Sequence, residues 1–104
     1  MSKKVYNKLV RDKIPEIIQA DGKQLKGRVL DDAEHLEALL KKLEEECAEL
    51  KEARNIEELA DVHEVLIALA DALGISRDEL EKVRQNKVAK RGGFQQKIFL
   101  EEVE

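Results

Sequence analysis

Four carboxylates stand at mirrored positions in the segments EEECAEL and EELADV: Glu46, Glu49, Glu58 and Asp61. Within each pair the spacing is i, i+3, which places both side chains on one face of a helix. If the two helices fold back through a turn at residues 53–54, Glu49 lies level with Glu58, and Glu46 lies level with Asp61. Such a cluster repels itself unless a cation binds, and carboxylate sites made only of oxygen suit Mg²⁺ or Mn²⁺ rather than zinc. The pattern therefore predicts a divalent-cation site that serves phosphate chemistry.

Two long helices must position these acids. Asp31 or Asp32 is placed to cap the first helix, a turn is expected near residues 54–55, and Gly74 ends the second helix. Apolar residues recur at spacings of three and four along the first helix, at Leu36, Leu40, Leu43, Cys47 and Leu50. A matching seam follows in the second helix, at Leu59, Val62, Leu66, Leu69 and Leu73. Matched seams joined by a short loop predict an antiparallel helical hairpin.

Shorter elements flank the hairpin. The segment KLVRDKIPEIIQADG predicts a short helix, with Asp12 placed to cap it and Gly22 placed to end it. Ser76 begins a capping box, SRDE, which predicts a further helix that runs to about Arg91. The tail FQQKIFLEEVE could form a short C-terminal strand that pairs with GRVL. The expected fold class is therefore all-α, with flanking helices around the hairpin.

The acids lie beside the seams rather than on the far solvent face. At about 100° per residue, Glu46 shares a flank with Leu39, and the acids of the second helix share a flank with Val65 and Ala68. Small apolar residues that continue an acidic group suggest a groove that another element covers. The alternative is a solvated acidic face, because in a chain that is 40% charged such pairs also arise without a ligand.

Basic and aromatic residues near both ends of the chain could bind a phosphorylated ligand. Lys8 and Arg11 belong to YNKLVRDK, while Lys87 and Arg91 continue a helix face on which apolar residues would be expected. Long basic stems that lie along the core, with their charges near a helix C-terminus, would explain the second pair without a ligand. Phe94 follows this basic group and could stack on a base, or it could pack the tail over the helix end.

Composition limits the class of protein. A chain of 104 residues forms one domain, 1–104, and 3% aromatic residues leave Leu, Ile, Val and Ala to build its core. The net charge of −4 argues against a binder of nucleic acid polymers. We expect a cytoplasmic protein without a membrane partner, because the sequence has no signal peptide and no apolar run of about 20 residues. Apolar residues beyond one seam per helix predict a homodimer or homotetramer.

The acidic motifs resemble those of a known superfamily. EExxE at Glu45, Glu46 and Glu49, with ExxD at Glu58 and Asp61, is similar to the MazG-like all-α nucleoside triphosphate pyrophosphohydrolases, which include the phosphoribosyl-ATP pyrophosphohydrolases. The segments YNKLVRDKIPEII and KRGGF resemble a small subgroup described as house-cleaning enzymes. The resemblance implies a four-helix-bundle core that a second subunit completes. It also implies Mg²⁺-dependent cleavage between the α and β phosphates of a nucleotide, which gives a monophosphate and pyrophosphate.

By this resemblance Glu46, Glu49, Glu58 and Asp61 are metal ligands, and Glu45 is an additional acid of the motif. Either Glu46 or Glu45 would accept the proton of the attacking water. The expected substrate is a non-standard or damaged nucleotide, and the alternative is a phosphoribosyl nucleotide of histidine biosynthesis. A rival from another class is a helical dimerisation or adaptor module whose acids are solvated.

Overall fold

The computed structural model describes residues 3–104, and the chain is all-α over that range. Its four helices are α1 (Ile14–Ala20), α2 (Asp32–Ala53), α3 (Ile56–Ala72) and α4 (Arg77–Arg91). No strand occurs between residues 3 and 104. No helix in this part of the chain is long and apolar enough to cross a membrane.

Local hydrogen bonds define the ends of the α2–α3 hairpin. The Asp31 side chain accepts from the backbone N–H of Glu34, and the Glu34 carboxylate accepts from the backbone of Asp31, which forms a capping box. At its other end α2 stops at Arg54, which adopts the left-handed conformation at φ 53°. The Asn55 side chain then accepts from the backbone N–H of Glu58 at 2.9 Å and begins α3. The two-residue link folds α3 back onto α2, as the matched seams predict.

The core between α2 and α3 includes part of the predicted seams, at Leu36, Leu43 and Leu69, but it is centred on a neighbouring flank. Leu39 is 3% exposed and lies in a cluster with Val65 and Leu69, each 7% exposed. Leu40 and Leu66, which belong to the predicted seams, are 43% and 44% exposed. Spacings of three and four fit both faces of α2, so the pattern alone could not choose between adjacent leucines. The flank that carries Glu46 is therefore the face that packs against α3.

Two expectations for the flanking segments are wrong. Asp12 does not cap α1: the helix begins after Lys13 without a side-chain cap, and Pro15 stands in its first turn. The tail does not form a strand, because after a turn at residues 94–97 it continues to residue 104 without regular structure. An isolated pair of short strands has no sheet to pack on and is marginally stable in water.

The last helix begins at Ser76 as predicted, with only the serine half of the capping box formed, and it is poorly covered. The Ser76 hydroxyl accepts from the backbone N–H of Glu79 at 3.1 Å, and the helix ends at Arg91 before Gly92. No residue of α4 is buried, although the helix contacts α3. Leu80, Val83 and Val88 are each more than 40% exposed.

The chain exposes far more surface than a closed domain of its size. Its radius of gyration is 18.4 Å, whereas a compact domain of this length has about 13 Å. Its accessible surface is 10093 Å², whereas a folded monomer of this mass exposes about 5,900 Å². A single copy therefore leaves much of its apolar surface in contact with water.

Candidate metal centre

Three carboxylates from the two hairpin helices converge on one point. Glu46 of α2 and Glu58 and Asp61 of α3 each present an oxygen, and these oxygens lie within 4.8 Å of one another. Glu46 is buried, while the other two residues are half-buried. The convergence joins the two acidic motifs across the hairpin, as their mirrored spacing predicts.

The helical repeat places these acids in line with the apolar core. Glu46 stands two turns after Leu39 on the contact face of α2, and Asp61 stands one turn before Val65 on α3. Closure of the apolar contact between Leu39 and Val65 thus brings the acids together. The same packing removes water from the side of the cluster that faces the hairpin.

Glu46 carries the strongest sign of an incomplete environment. The residue is 8% exposed, and its Oε2 atom is buried without a hydrogen-bond partner. Its Oε1 atom lies 3.6 Å from the Nζ atom of Lys42, one turn earlier on α2. A buried carboxylate with one oxygen unsatisfied is costly, because it has lost water without gaining a full set of partners.

Glu58 also has an unsatisfied buried oxygen. Its Oε2 atom is also buried without a partner. Burial raises the pKa of the Glu58 carboxyl, and the negative charges of Glu49 and Asp61 raise it further. Burial likewise raises the pKa of Glu46, with Glu49 as the next cause. Both carboxyls hold protons more tightly than free glutamate, as expected where acids face one another without enough positive charge.

This donor set fits a hard divalent cation. Carboxylate oxygens are the ligands that Mg²⁺, Ca²⁺ and Mn²⁺ prefer, and there is no thiolate or imidazole among the three clustered residues. A cation between Glu46 and Glu58 would give their two buried oxygens a partner and offset the mutual repulsion. The orphaned oxygens are an observation independent of the acidic composition.

Two other acids that the sequence assigns to the site, Glu49 and Glu45, lie outside the three converging carboxylates. Glu49 is exposed and is not one of the three converging residues, although its charge raises the pKa of both Glu46 and Glu58. Glu45 is exposed and borders a shallow depression that includes Lys8 and Lys42. Glu49 therefore acts on the cluster through its charge, while Glu45 lies on the depression beside Lys8.

One of the predicted basic residues contacts the cluster directly. The Nη2 atom of Arg11 donates a hydrogen bond to the Oδ1 atom of Asp61 at 2.6 Å. Lys8 lies beside α2 in the depression bordered by Glu45, and its ammonium stacks over the Tyr6 ring at 5.5 Å. The N-terminal basic group is therefore near the acids.

The other predicted ligand-binding residues are not brought to the acids. Lys87 and Arg91 are exposed on α4, and within residues 3–104 no hydrogen bond or ion pair joins them to the cluster. Phe94 is 97% exposed beyond the end of α4. Its alternative role, packing the tail over the helix end, is not seen either. A role for these residues in binding substrate stays a prediction.

Sequence reasoning missed Lys42 as a partner of the site. Its spacing of i, i+4 from Glu46 is the signal that could have found it, since such a pair meets on one helix face. The ion pair between Arg11 and Asp61 had no comparable signal, because fifty positions separate the two residues.

Comparison with known proteins adds little to this geometry. A protein of Mycolicibacterium smegmatis, described as uncharacterized, is 53% identical to the chain over 45 residues. The match covers 43% of this chain and 46% of that protein, so it spans about half the length of the curated relative. No family model matches the chain. No solved structure matches the chain.

Proposed function

We propose that the chain is a Mg²⁺-dependent nucleotide pyrophosphohydrolase that converts a nucleoside triphosphate, of a non-standard or damaged kind, to monophosphate and pyrophosphate. One observation carries the proposal: three carboxylates lie within 4.8 Å, and two of them keep a buried oxygen without a partner. The resemblance of EExxE and ExxD to the MazG-like superfamily supplies the reaction class. Mn²⁺ could replace Mg²⁺ because both prefer oxygen ligands.

In this proposal Glu46, Glu58 and Asp61 hold the cation, and Glu49 completes the set by turning inward. The bound cation would neutralise charge on phosphate oxygens and lower the pKa of an attacking water. The apolar contact beneath the cluster keeps Glu46 in place and limits water on that side. Rigid placement on two packed helices is what a precise ligand set requires.

Proton transfer from water to the protein falls to Glu46 or Glu45. Glu46 is buried within the cluster, and Glu45 is exposed on the depression that includes Lys8. A general base must be within hydrogen-bond reach of the water that it activates. Glu46 is favoured by its place in the cluster and by its raised pKa, while Glu45 would have to reach the water from outside the cluster.

Self-association is part of the proposal. Several leucines of the predicted seams face away from the hairpin core. Leu40, Leu59 and Leu66 are 43–57% exposed. A shallow apolar groove on α3 is lined by Ile56, Leu59, Ala60, Val62, His63 and Leu66. A second hairpin packed on this surface would complete a four-helix bundle and cover apolar area that one copy leaves in water.

The test is pyrophosphate release from a panel of standard, deoxy and oxidised nucleoside triphosphates, with Mg²⁺ and then with EDTA. The panel includes phosphoribosyl-ATP to separate the alternative substrate. We expect release that depends on Mg²⁺ and that falls to the EDTA background in Glu49→Gln and Asp61→Asn. Glu44→Gln is the matched control, since Glu44 is an exposed acid of the same helix outside the cluster.

A second candidate function is a helical dimerisation or adaptor module, which the exposed apolar surface of α3 and α4 favours. The two candidates differ in their response to Mg²⁺. If the chain is an adaptor, Mg²⁺ should not raise its melting temperature, Asp61→Asn should not change its response to Mg²⁺, and no nucleotide should be cleaved. Full activity in both Glu49→Gln and Asp61→Asn would disprove the assignment of the site.

A further inference from the structure

The N-terminal segment, residues 7–11, lies across the acidic end of the hairpin. Leu9 is half-buried and packs on the core cluster of Leu39, Val65 and Leu69. Two residues later Arg11 donates to the Asp61 carboxylate at 2.6 Å. The segment is thus anchored by an apolar contact at Leu9 and by a charge-assisted hydrogen bond at Arg11.

Of the two cations that contact the cluster, only Arg11 is within hydrogen-bond distance of a carboxylate oxygen. Lys42 also faces it, but its Nζ atom is 3.6 Å from Glu46, which exceeds normal hydrogen-bond length. Neither cation reaches the buried Oε2 atoms of Glu46 and Glu58, which stay without partners. Arg11 therefore neutralises one edge of the cluster and leaves its interior uncompensated.

A divalent cation bound by Asp61 would place a second positive charge next to the guanidinium of Arg11. Like charges a few ångströms apart repel strongly where water is partly excluded. A phosphate group near the bound cation would attract the guanidinium of Arg11 away from Asp61, because guanidinium binds phosphate through two parallel hydrogen bonds. The side chain of Arg11 is 57% exposed, so it can leave Asp61 without disturbing the core.

From these contacts we infer that Arg11 is an exchangeable counter-cation: it holds Asp61 when the site is free and moves to phosphate oxygens when cation and nucleotide bind. The inference rests on the proposed function and deepens it, since it assigns to Arg11 two partners used in turn. Leu9 keeps the segment over the site during the exchange. Arg11 is a positioning residue for Asp61 in the first state and a phosphate ligand in the second.

The exchange predicts effects of opposite sign on two ligands, which a purely structural role would not produce. Without phosphate, Arg11→Ala removes a competitor for Asp61, so the Kd for Mn²⁺ alone falls by about two- to fivefold. With Mn²⁺ present, the same substitution removes a phosphate ligand, so the Kd for inorganic pyrophosphate rises by about tenfold.

Calorimetric titration of the full chain measures both constants. Arg11→Lys, which keeps the charge but loses the planar fork, should bind Mn²⁺ like the wild type and pyrophosphate with intermediate affinity. Arg28→Ala is the matched control, because Arg28 forms an ion pair of equal length with Glu34 away from the cluster. It should change neither constant.

The outcomes separate this inference from the proposed function. If wild type binds Mn²⁺ and Arg11→Ala binds it equally or more weakly, the exchange is disproved and the metal site stands. If neither protein binds Mn²⁺, the proposed function and the exchange fail together. If Mn²⁺ binds to Arg11→Ala but not to wild type, the exchange is supported, because Arg11 then blocks the metal site completely until it leaves Asp61.

Discussion

The Nζ atom of Lys42 lies 3.6 Å from one carboxylate oxygen of Glu46, while the other oxygen of Glu46 is buried without any partner. Lys42 faces Glu46 and Arg11 bonds Asp61, but neither cation reaches the buried oxygens of Glu46 and Glu58. In the chain alone, this imbalance is a cost to folding. A bound cation would turn the same arrangement into a source of stability.

The first prediction concerns the metal-free protein. In EDTA at pH 7, Glu46→Gln should raise the free energy of unfolding by about 1 kcal/mol, or about 4–8 °C in Tm, because it removes a poorly compensated buried charge. Thermal unfolding followed by circular dichroism measures this change. Glu44→Gln, at an exposed position of the same helix, should leave Tm unchanged. A lower Tm for Glu46→Gln would mean that Lys42 already compensates the charge.

The pH dependence of metal-free stability follows from the same carboxyls. The pKa values of Glu46 and Glu58 are raised by burial and by Glu49, so the folded chain binds protons more tightly than the unfolded chain. Stability should therefore fall as pH rises from about 4.5 through the folded pKa values. Urea unfolding between pH 4 and 8 measures the slope, and saturating Mg²⁺ should remove it. A slope of opposite sign would contradict the raised pKa values.

Adjacent leucines should differ in their effects on stability. Leu39→Ala removes a core side chain that is 3% exposed, so it should cost about 2–5 kcal/mol. Leu40→Ala, at 43% exposure, should cost little within one chain and should weaken self-association instead. Urea unfolding at several protein concentrations distinguishes the two effects. Equal costs that do not depend on concentration would place both leucines in one core.

The apolar groove on α3 should control the oligomeric state. Wild type should sediment as a dimer or tetramer at micromolar concentration, and Leu66→Glu should be monomeric because it puts a charge into the proposed contact. Val29→Glu is the control, since Val29 is 96% exposed in a loop outside the hairpin. A monomeric wild type would contradict the proposed four-helix bundle.

The ion pair at the start of α2 has its own signature. Hydrogen bonds from the Arg28 guanidinium lower the pKa of Glu34 to about 2. A lowered folded pKa adds stability above the unfolded value and loses it as pH falls from about 4.5 toward 2. In Arg28→Ala, NMR titration should show the Glu34 pKa moving up toward that of free glutamate. Lys23→Ala, whose partner is Asp21, should leave Glu34 unchanged.

Much of the fold follows from local sequence. Ser76 begins α4 as predicted, and Asp31 is the one of the two candidate caps that begins α2, because a cap depends on side-chain and backbone groups three residues apart. Asp12 does not cap α1, since the preceding turn places Lys13 at that position instead. A seven-residue helix with no buried side chain is too short for its sequence signals to fix its start.

The sequence by itself determined the four helices, the hairpin and the mirrored acids, because each depends on spacing along one helix or across one short turn. Only the tertiary structure decided that Leu39 rather than Leu40 faces α3, since both fit the helical repeat and the choice depends on how the two helices pack. It also decided that Arg11 bonds Asp61, fifty positions away. Leu9 packs on the hairpin core and so brings Arg11 to Asp61. No local sequence pattern predicts a contact between residues so far apart in the chain.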